Sequence, residues 1–176
     1  LVTTDTLVVA GTATATISDA NTTAIDATAL SAIGGKTSGA VTVTNAIAIS
    51  GTQAEITAAL VTTDTLVVAA TATVTSSDAM SVAEANAVDA KTSGVITATL
   101  DTGDTASYST LTGTGNAYTV TVNDANTTAI TATALSTLGG KTTGTVTVSN
   151  AIAISGTQSE ITAALVTTDT LVVAGT

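Results

Sequence analysis

A chain of 176 residues with thirteen acidic and three basic side chains has a net charge of −10, which excludes the clustered Lys and Arg that nucleic-acid backbones require. It contains no Cys, His, Trp, Phe or Pro, so the common nucleophile–base pairs and soft-metal sites cannot be built. With 44% apolar residues and a mean hydropathy of +0.54 it is too apolar for intrinsic disorder, while 1% aromatic content predicts a thin core of Val, Ile, Leu and Ala.

Residues 1–12, LVTTDTLVVAGT, recur as residues 165–176, so the chain holds one 164-residue period and a short overlap. It reads as a window of a tandem array continuing beyond both ends. Asp5 in the first TTDT loop reads as a turn residue, as do Asp64 and Asp169 in its later copies. Gly11 marks a bend. Asp19 opens DANTTAIDATALSAIGG (19–35), which reads as a short helix with Ile25, Ala29, Leu30 and Ile33 on one face and Gly34 and Gly35 as its C-cap. VTVTNAIAI (41–49) alternates as a strand does, with Asn45 as a bend. TQAE, from Thr52 to Glu55, is a capping box, and Ile56, Ala59 and Leu60 behind it form one apolar stripe. TLVVAATATVT (65–75), GVITATL (94–100) and YTVTV (118–122) read as further strands. Asp78, Asp104, Asp124 and Thr157 mark further helix starts, the last in a second box, TQSE, ending at Glu160.

Residues 17–60 align without a gap to 122–165 at an offset of 105, and 35 of the 44 positions are identical. The near-identical copies run over 17–71 and 122–176, with a divergent copy at 72–121, so residues 1–176 form one repeat segment rather than separate domains. KTSG occurs at Lys36 and Lys91 and KTTG at Lys141, and no other Lys is present. The six helix starts are spaced 33, 26, 26, 20 and 33 residues apart, and 26 more complete the period. The expected fold is a repeat solenoid: α/β, with parallel strands and a short helix in each coil, like leucine-rich repeats. Each coil takes about 27 residues, six per 164-residue period. Successive strands lie parallel with right-handed crossovers, and six advances of ~4.8 Å make about 29 Å. Helices pack ~8–10 Å apart, so a continuous stack curves with its strands inside. The alternative is an all-β solenoid in which the short helices are only turns, since Thr is a poor helix former.

Each candidate site has a structural reading beside it. Asp19, Asp78 and Asp124 either bind cations as a ladder or cap helices. Thr12, Thr14 and Thr16, Thr42 and Thr44, Thr71, Thr73 and Thr75, Thr119 and Thr121, and Thr145 and Thr147 form either a flat ice-binding face or ordinary strands. Lys36, Lys91 and Lys141 read as solvated turns rather than isopeptide donors. Glu84 and Asp89 are a conceivable carboxylate pair. Asn21 and Asn126 open formal glycosylation sequons. Met80, Tyr108 and Tyr118, all in the divergent copy, read as drift or as an anchor between filaments. No catalytic, cofactor-binding or metal-ligating residue is assigned, and no cofactor is expected.

The phrases ISDANTTAIDATAL (17–30), ISGTQAEITAAL (49–60) and VNDANTTAITATAL (122–135) resemble the Ala/Thr-rich tandem repeats of giant secreted bacterial surface and adhesin-like proteins, as in cyanobacteria and proteobacteria. The resemblance covers essentially the whole chain. It implies an extracellular, non-catalytic filament, sheath, surface layer or adhesin shaft, with self-association end to end or side by side as its partnership. The alternative is a binding module using a Thr-rich face for ice or glycan, or an adhesin region binding cations. The Gly/Asp-rich nonapeptide of calcium-binding RTX repeats is missing, so calcium enters only as a weak contact, as glycans do. Apolar runs such as 66–71 fall far short of the ~18 residues a membrane span needs, so no membrane insertion is expected.

Overall fold

The computed structural model describes residues 11–168 and 172–174. The opening repeat up to residue 10, Asp5 and Asp169 therefore lie outside the described residues. The chain divides into two compact units: described residues up to Asp78 with Ala87–Ile96, and Ala79–Asn86 with those from Thr97 onward.

In the first unit, alternating β-branched segments form β1 (Ala15–Ile17), β2 (Ala24–Asp26), β3 (Val41–Val43), β4 (Ala48–Gly51), β5 (Val67–Val68) and β6 (Thr73–Ser76). All pairings are parallel. β3 lies between β1 and β5, with Ala15 opposite Val41 and Val41 opposite Val67, a step of 26 residues each time. β4 lies between β2 and β6, with Ala24 opposite Ala48 and Ala48 opposite Thr73. Parallel neighbours need a crossover, and two helices supply it: α1 (Ala27–Gly34) and α2 (Gln53–Leu60), which pack on each other. Leu30, Ile56, Ala59 and Leu60 of these helices and Val41, Ile47, Ile49 and Val74 of the strand segments are at most 1% exposed and make the core. Burying each larger aliphatic side chain contributes roughly 1.5–3 kcal/mol.

α3 (Val82–Asp89) spans the division between the units, and β7 (Ile96–Thr99) begins at its other edge. The second unit continues with α4 (Thr105–Tyr108), β8 (Ala117–Val122), β9 (Ala129–Thr131), α5 (Ala132–Gly139), β10 (Val146–Val148), β11 (Ala153–Ser155), α6 (Gln158–Leu165) and β12 (Val172–Ala174). Its pairings are again parallel. Val120 faces Val146, Val146 faces Val172, and Ala129 faces Ala153. Each equals a pairing of the first unit plus 105 residues, so the two near-identical copies fold in the same register. The exception is β7 against β8, where Thr97 faces Ala117 after only 20 residues.

The six helices among the described residues decide against the all-β alternative. They also correct the helix starts. Thr52, Asp104 and Thr157 are N-caps as expected. Asp19 and Asp124 are not: the ANTT segment after each forms a turn and then a strand, and the helices begin at Ala27 and Ala132. Thr22 and Thr127 adopt left-handed backbone (φ 64° and 66°), which no helix permits. Ile25 consequently lies in β2 and Ala29 is exposed, while Ala27, Leu30 and Gly34 make the buried stripe of α1. Gly35 caps α1 in right-handed rather than left-handed geometry. Gly34 is required by packing, since a Cβ there would stand 2.1 Å from the Thr65 carbonyl oxygen. Asp78 gives way to Ser81, whose amide and hydroxyl pair reciprocally with Glu84 in a third capping box at α3.

The purely aliphatic core is corrected too. Met80, Tyr108 and Tyr118 are 0, 2 and 0% exposed, so the divergent copy's unusual residues are core side chains of the second unit and are not available as contacts between filaments. α4 has one turn where the other helices have eight residues. Tyr108 is its last residue and is buried, and the Tyr108 hydroxyl is placed between the carbonyl oxygens of Asp101 and Thr121 (2.6 and 2.8 Å). Burial raises its pKa.

Candidate functional site

The recurring KT[ST]G turn follows a helix and precedes a strand, and at all three occurrences it makes the same contacts. Its Lys is exposed at Lys36 and Lys91, as a solvated turn requires, and half-buried at Lys141. The Thr faces inward. Thr37 Oγ1 donates to the carbonyl of Ala13 and accepts from Gly39 N–H (3.0 Å). Thr92 does the same with Ala72 and Gly94. Thr142 Oγ1 accepts from the amides of Tyr118 (2.8 Å) and Gly144 (2.9 Å), with the carbonyls of Asn116 and Tyr118 as acceptors for its proton. The next residue adds a second tie: the N–H groups of Ser38, Ser93 and Thr143 donate to Gly11, Ala70 and Asn116.

The motif's Gly lies against the backbone of the preceding repeat. A Cβ on Gly39, Gly94 or Gly144 would stand 2.4, 2.2 or 2.2 Å from the carbonyl oxygen of Ala13, Ala72 or Tyr118. The motif is therefore a staple between neighbouring strand–helix segments. Its persistence in the divergent copy was the signal for this role.

A second set of ties uses asparagine at the bend between paired strands. Asn45 Nδ2 donates to the Asp19 carbonyl (2.7 Å) and Asn150 Nδ2 to that of Asp124 (2.8 Å). In return Asn21 Oδ1 accepts from Ala46 N–H and Asn126 Oδ1 from Ala151 N–H. Asn45 is thus the bend expected.

The aspartates also work between segments. Asp78 Oδ1 accepts from Gln53 N–H and Asp124 Oδ2 from Thr105 N–H (2.8 Å), the first residues of α2 and α4. They cap the helix of the preceding segment, a role that spacing along the chain does not reveal. Helix α2 consequently has two caps, because Thr52 Oγ1 also accepts from Glu55 N–H. Thr52→Ala is expected to cost about 1 kcal/mol, and adding Asp78→Ala to roughly double that, read as urea midpoints of the single and double variants. Equal stability of the two would show Asp78 to be idle.

At α6, Glu160 Oε2 accepts from Thr157 N–H (2.7 Å) and Oε1 from the Thr133 hydroxyl of α5 (3.1 Å). The bonds from Thr157, then that from Thr133, hold the Glu160 carboxyl below the usual glutamate range. A carboxyl whose folded pKa is depressed stabilises the fold above its unfolded pKa, and the contribution is lost as pH falls through the folded value. Melting temperatures measured from neutral pH down through the carboxylate range should fall less steeply in Glu160→Gln than in the parent. Superimposable acid limbs would remove Glu160 from the account.

Among the described residues no group of three or more His, Cys, Asp and Glu side chains is placed to hold a metal ion. Asp64 lies exposed in a 3-10 turn, Thr63–Thr65. Glu84 is engaged by Ser81, and Asp89, five residues further along α3, lies on a different face. An open groove of about 720 Å³ beside the Lys36 turn includes one acid, Asp64, in its lining, and its counterpart of about 400 Å³ beside Gly144 is lined by Gly and Thr. Among the described residues neither brings carboxylates together. The outward ranks across β1, β3 and β5 and across β8, β10 and β12 read Thr16, Thr42, Val68 and Thr121, Thr147, Val173. Val68 and Val173 are 45 and 49% exposed, so valine ends each rank. No described helix is long and apolar enough to cross a membrane.

Compared with known proteins, this chain matches no family model, no curated protein and no solved structure.

Proposed function

We propose that this chain is a segment of an extracellular structural protein, a solenoid of stacked strand–helix coils serving as the shaft of a filament, sheath, surface layer or adhesin. The observation that carries this reading is that the recurring polar side chains are spent on ties between adjacent segments. The KT[ST]G threonines, the bend asparagines and the Asp caps bind the backbone of a neighbouring segment. Such a chain gains stability by repetition, each segment shielding the next, as in quasi-one-dimensional repeat proteins. Six helices in the described residues agree with six coils per period. The protein is read as non-catalytic, secreted by a bacterium and partnered by copies of itself.

The alternative Thr-face reading loses support from the valines in its ranks. Electron cryomicroscopy of the native material tests the proposal. Six strand-spaced coils give an axial repeat of about 29 Å. A continuous fibre with that repeat is the expected result, and discrete compact particles would overturn it.

A further inference from the structure

Seven asparagines occur in the chain, and two of them, Asn21 and Asn126, begin an Asn-x-Thr sequence: Asn21-Thr22-Thr23 and Asn126-Thr127-Thr128. These two also share one structural setting. Both are exposed, in the turn where Thr22 or Thr127 takes left-handed backbone. The backbone amide of Ala46 or Ala151 donates to their side chains at 3.0 and 3.1 Å, which identifies the bonded atom as Oδ1 and leaves Nδ2 at the other corner of the amide. Nδ2 of each makes no hydrogen bond to a described residue. By contrast, Asn45, Asn86 and Asn150 spend Nδ2 on the carbonyls of Asp19, Thr110 and Asp124, and Asn116 is 4% exposed. Asn123 is exposed as well, but neither it nor any of these four is followed by Ser or Thr two residues on.

We infer that Asn21 and Asn126 are acceptor sites for N-linked sugar on the folded chain. The turn that presents each is closed by its own bonds, Thr22 N–H to the Ala46 carbonyl and Thr127 N–H to that of Ala151, both 2.8 Å. The sequon is thus displayed without unfolding, and the Oδ1 bond survives substitution at Nδ2. In the transfer, Nδ2 bonds to the anomeric carbon of a diphosphate-activated sugar. The carbon–oxygen bond to the diphosphate breaks, the diphosphate leaves with its carrier, and Nδ2 gives up a proton. The partner is a glycosyltransferase that reads Asn-x-Thr. This inference stands apart from the filament reading, since acceptor chemistry does not depend on assembly.

The test is incubation of the folded chain with a soluble sequon-reading N-glycosyltransferase and UDP-glucose, followed by intact-mass and peptide mapping, with circular dichroism before and after. The expected result is two hexoses, on Asn21 and Asn126, with an unchanged spectrum. Thr23→Ala and Thr128→Ala should each remove one. Transfer only to the urea-unfolded chain, transfer to neither form, or modification elsewhere would overturn the inference.

Discussion

Gly144→Ala should be among the most damaging single-methyl additions to this protein, lowering stability by about 3 kcal/mol or more. Its new Cβ would stand 2.2 Å from the Tyr118 carbonyl oxygen and 2.7 Å from the carbonyl carbon. Those atoms belong to backbone held in β8, so relief requires the two segments to separate. Separation in turn weakens the bonds from Tyr118 N–H to Thr142 Oγ1 and from Thr143 N–H to Asn116 O. Gly39→Ala and Gly94→Ala meet the carbonyls of Ala13 and Ala72 in the same way. Gly11→Ala is the control: among the described residues nothing lies within 4 Å of its Cβ position, and its effect should stay within about 0.5 kcal/mol. Urea midpoints of the four variants decide the matter. If Gly144→Ala and Gly11→Ala unfold together, close approach is not why the motif ends in glycine.

Thr142→Val keeps the shape of the side chain and removes only its hydroxyl, with an expected loss of about 3 kcal/mol. The residue is 7% exposed, so water cannot readily replace what is lost. Two amides, Tyr118 N–H and Gly144 N–H, lose their acceptor, and each unsatisfied buried group costs about 1–3 kcal/mol. Thr37→Val, at the half-buried equivalent position, orphans only Gly39 N–H and should cost about 1 kcal/mol. Faster hydrogen exchange at the Tyr118 and Gly144 amides would locate the damage. A Thr142→Val protein with parent-like stability and protection would refute the staple. The two substitutions touch the same Tyr118 peptide, so their costs should not add.

Local signals were legible wherever the chain makes its own partners. The boxes at Thr52 and Thr157, the stripe of Ile56, Ala59 and Leu60, and the Asn45 bend all use partners within a few residues, or a pattern set by one element. The box at Ser81 was equally visible in SVAE, but the recurring aspartate at Asp78 competes with it as a helix start. Misplacement of α1 and α5 has a different origin. Asp19 and Asp124 precede a stretch whose apolar spacing fits a helix as well as a turn and strand. What selects the strand is pairing with Ala48 and Ala153 on the following segment.

By itself the sequence determined the acidic surface, the alternation of strands and short helices, the shared register of two copies 105 residues apart, and the absence of His and Cys chemistry. Only the tertiary structure decided what the recurrent polar residues are for. Thr37, Thr92 and Thr142 bond backbone 20 to 26 residues away, and Asp78 and Asp124 cap helices that precede them in the chain. It also decided that Met80, Tyr108 and Tyr118 belong to the core of the second unit. The physical reason is the same in each case. Periodicity along a chain reports which face of one element is apolar, whereas a hydrogen bond or a close approach between neighbouring segments depends on register, which exists only once the strands have paired.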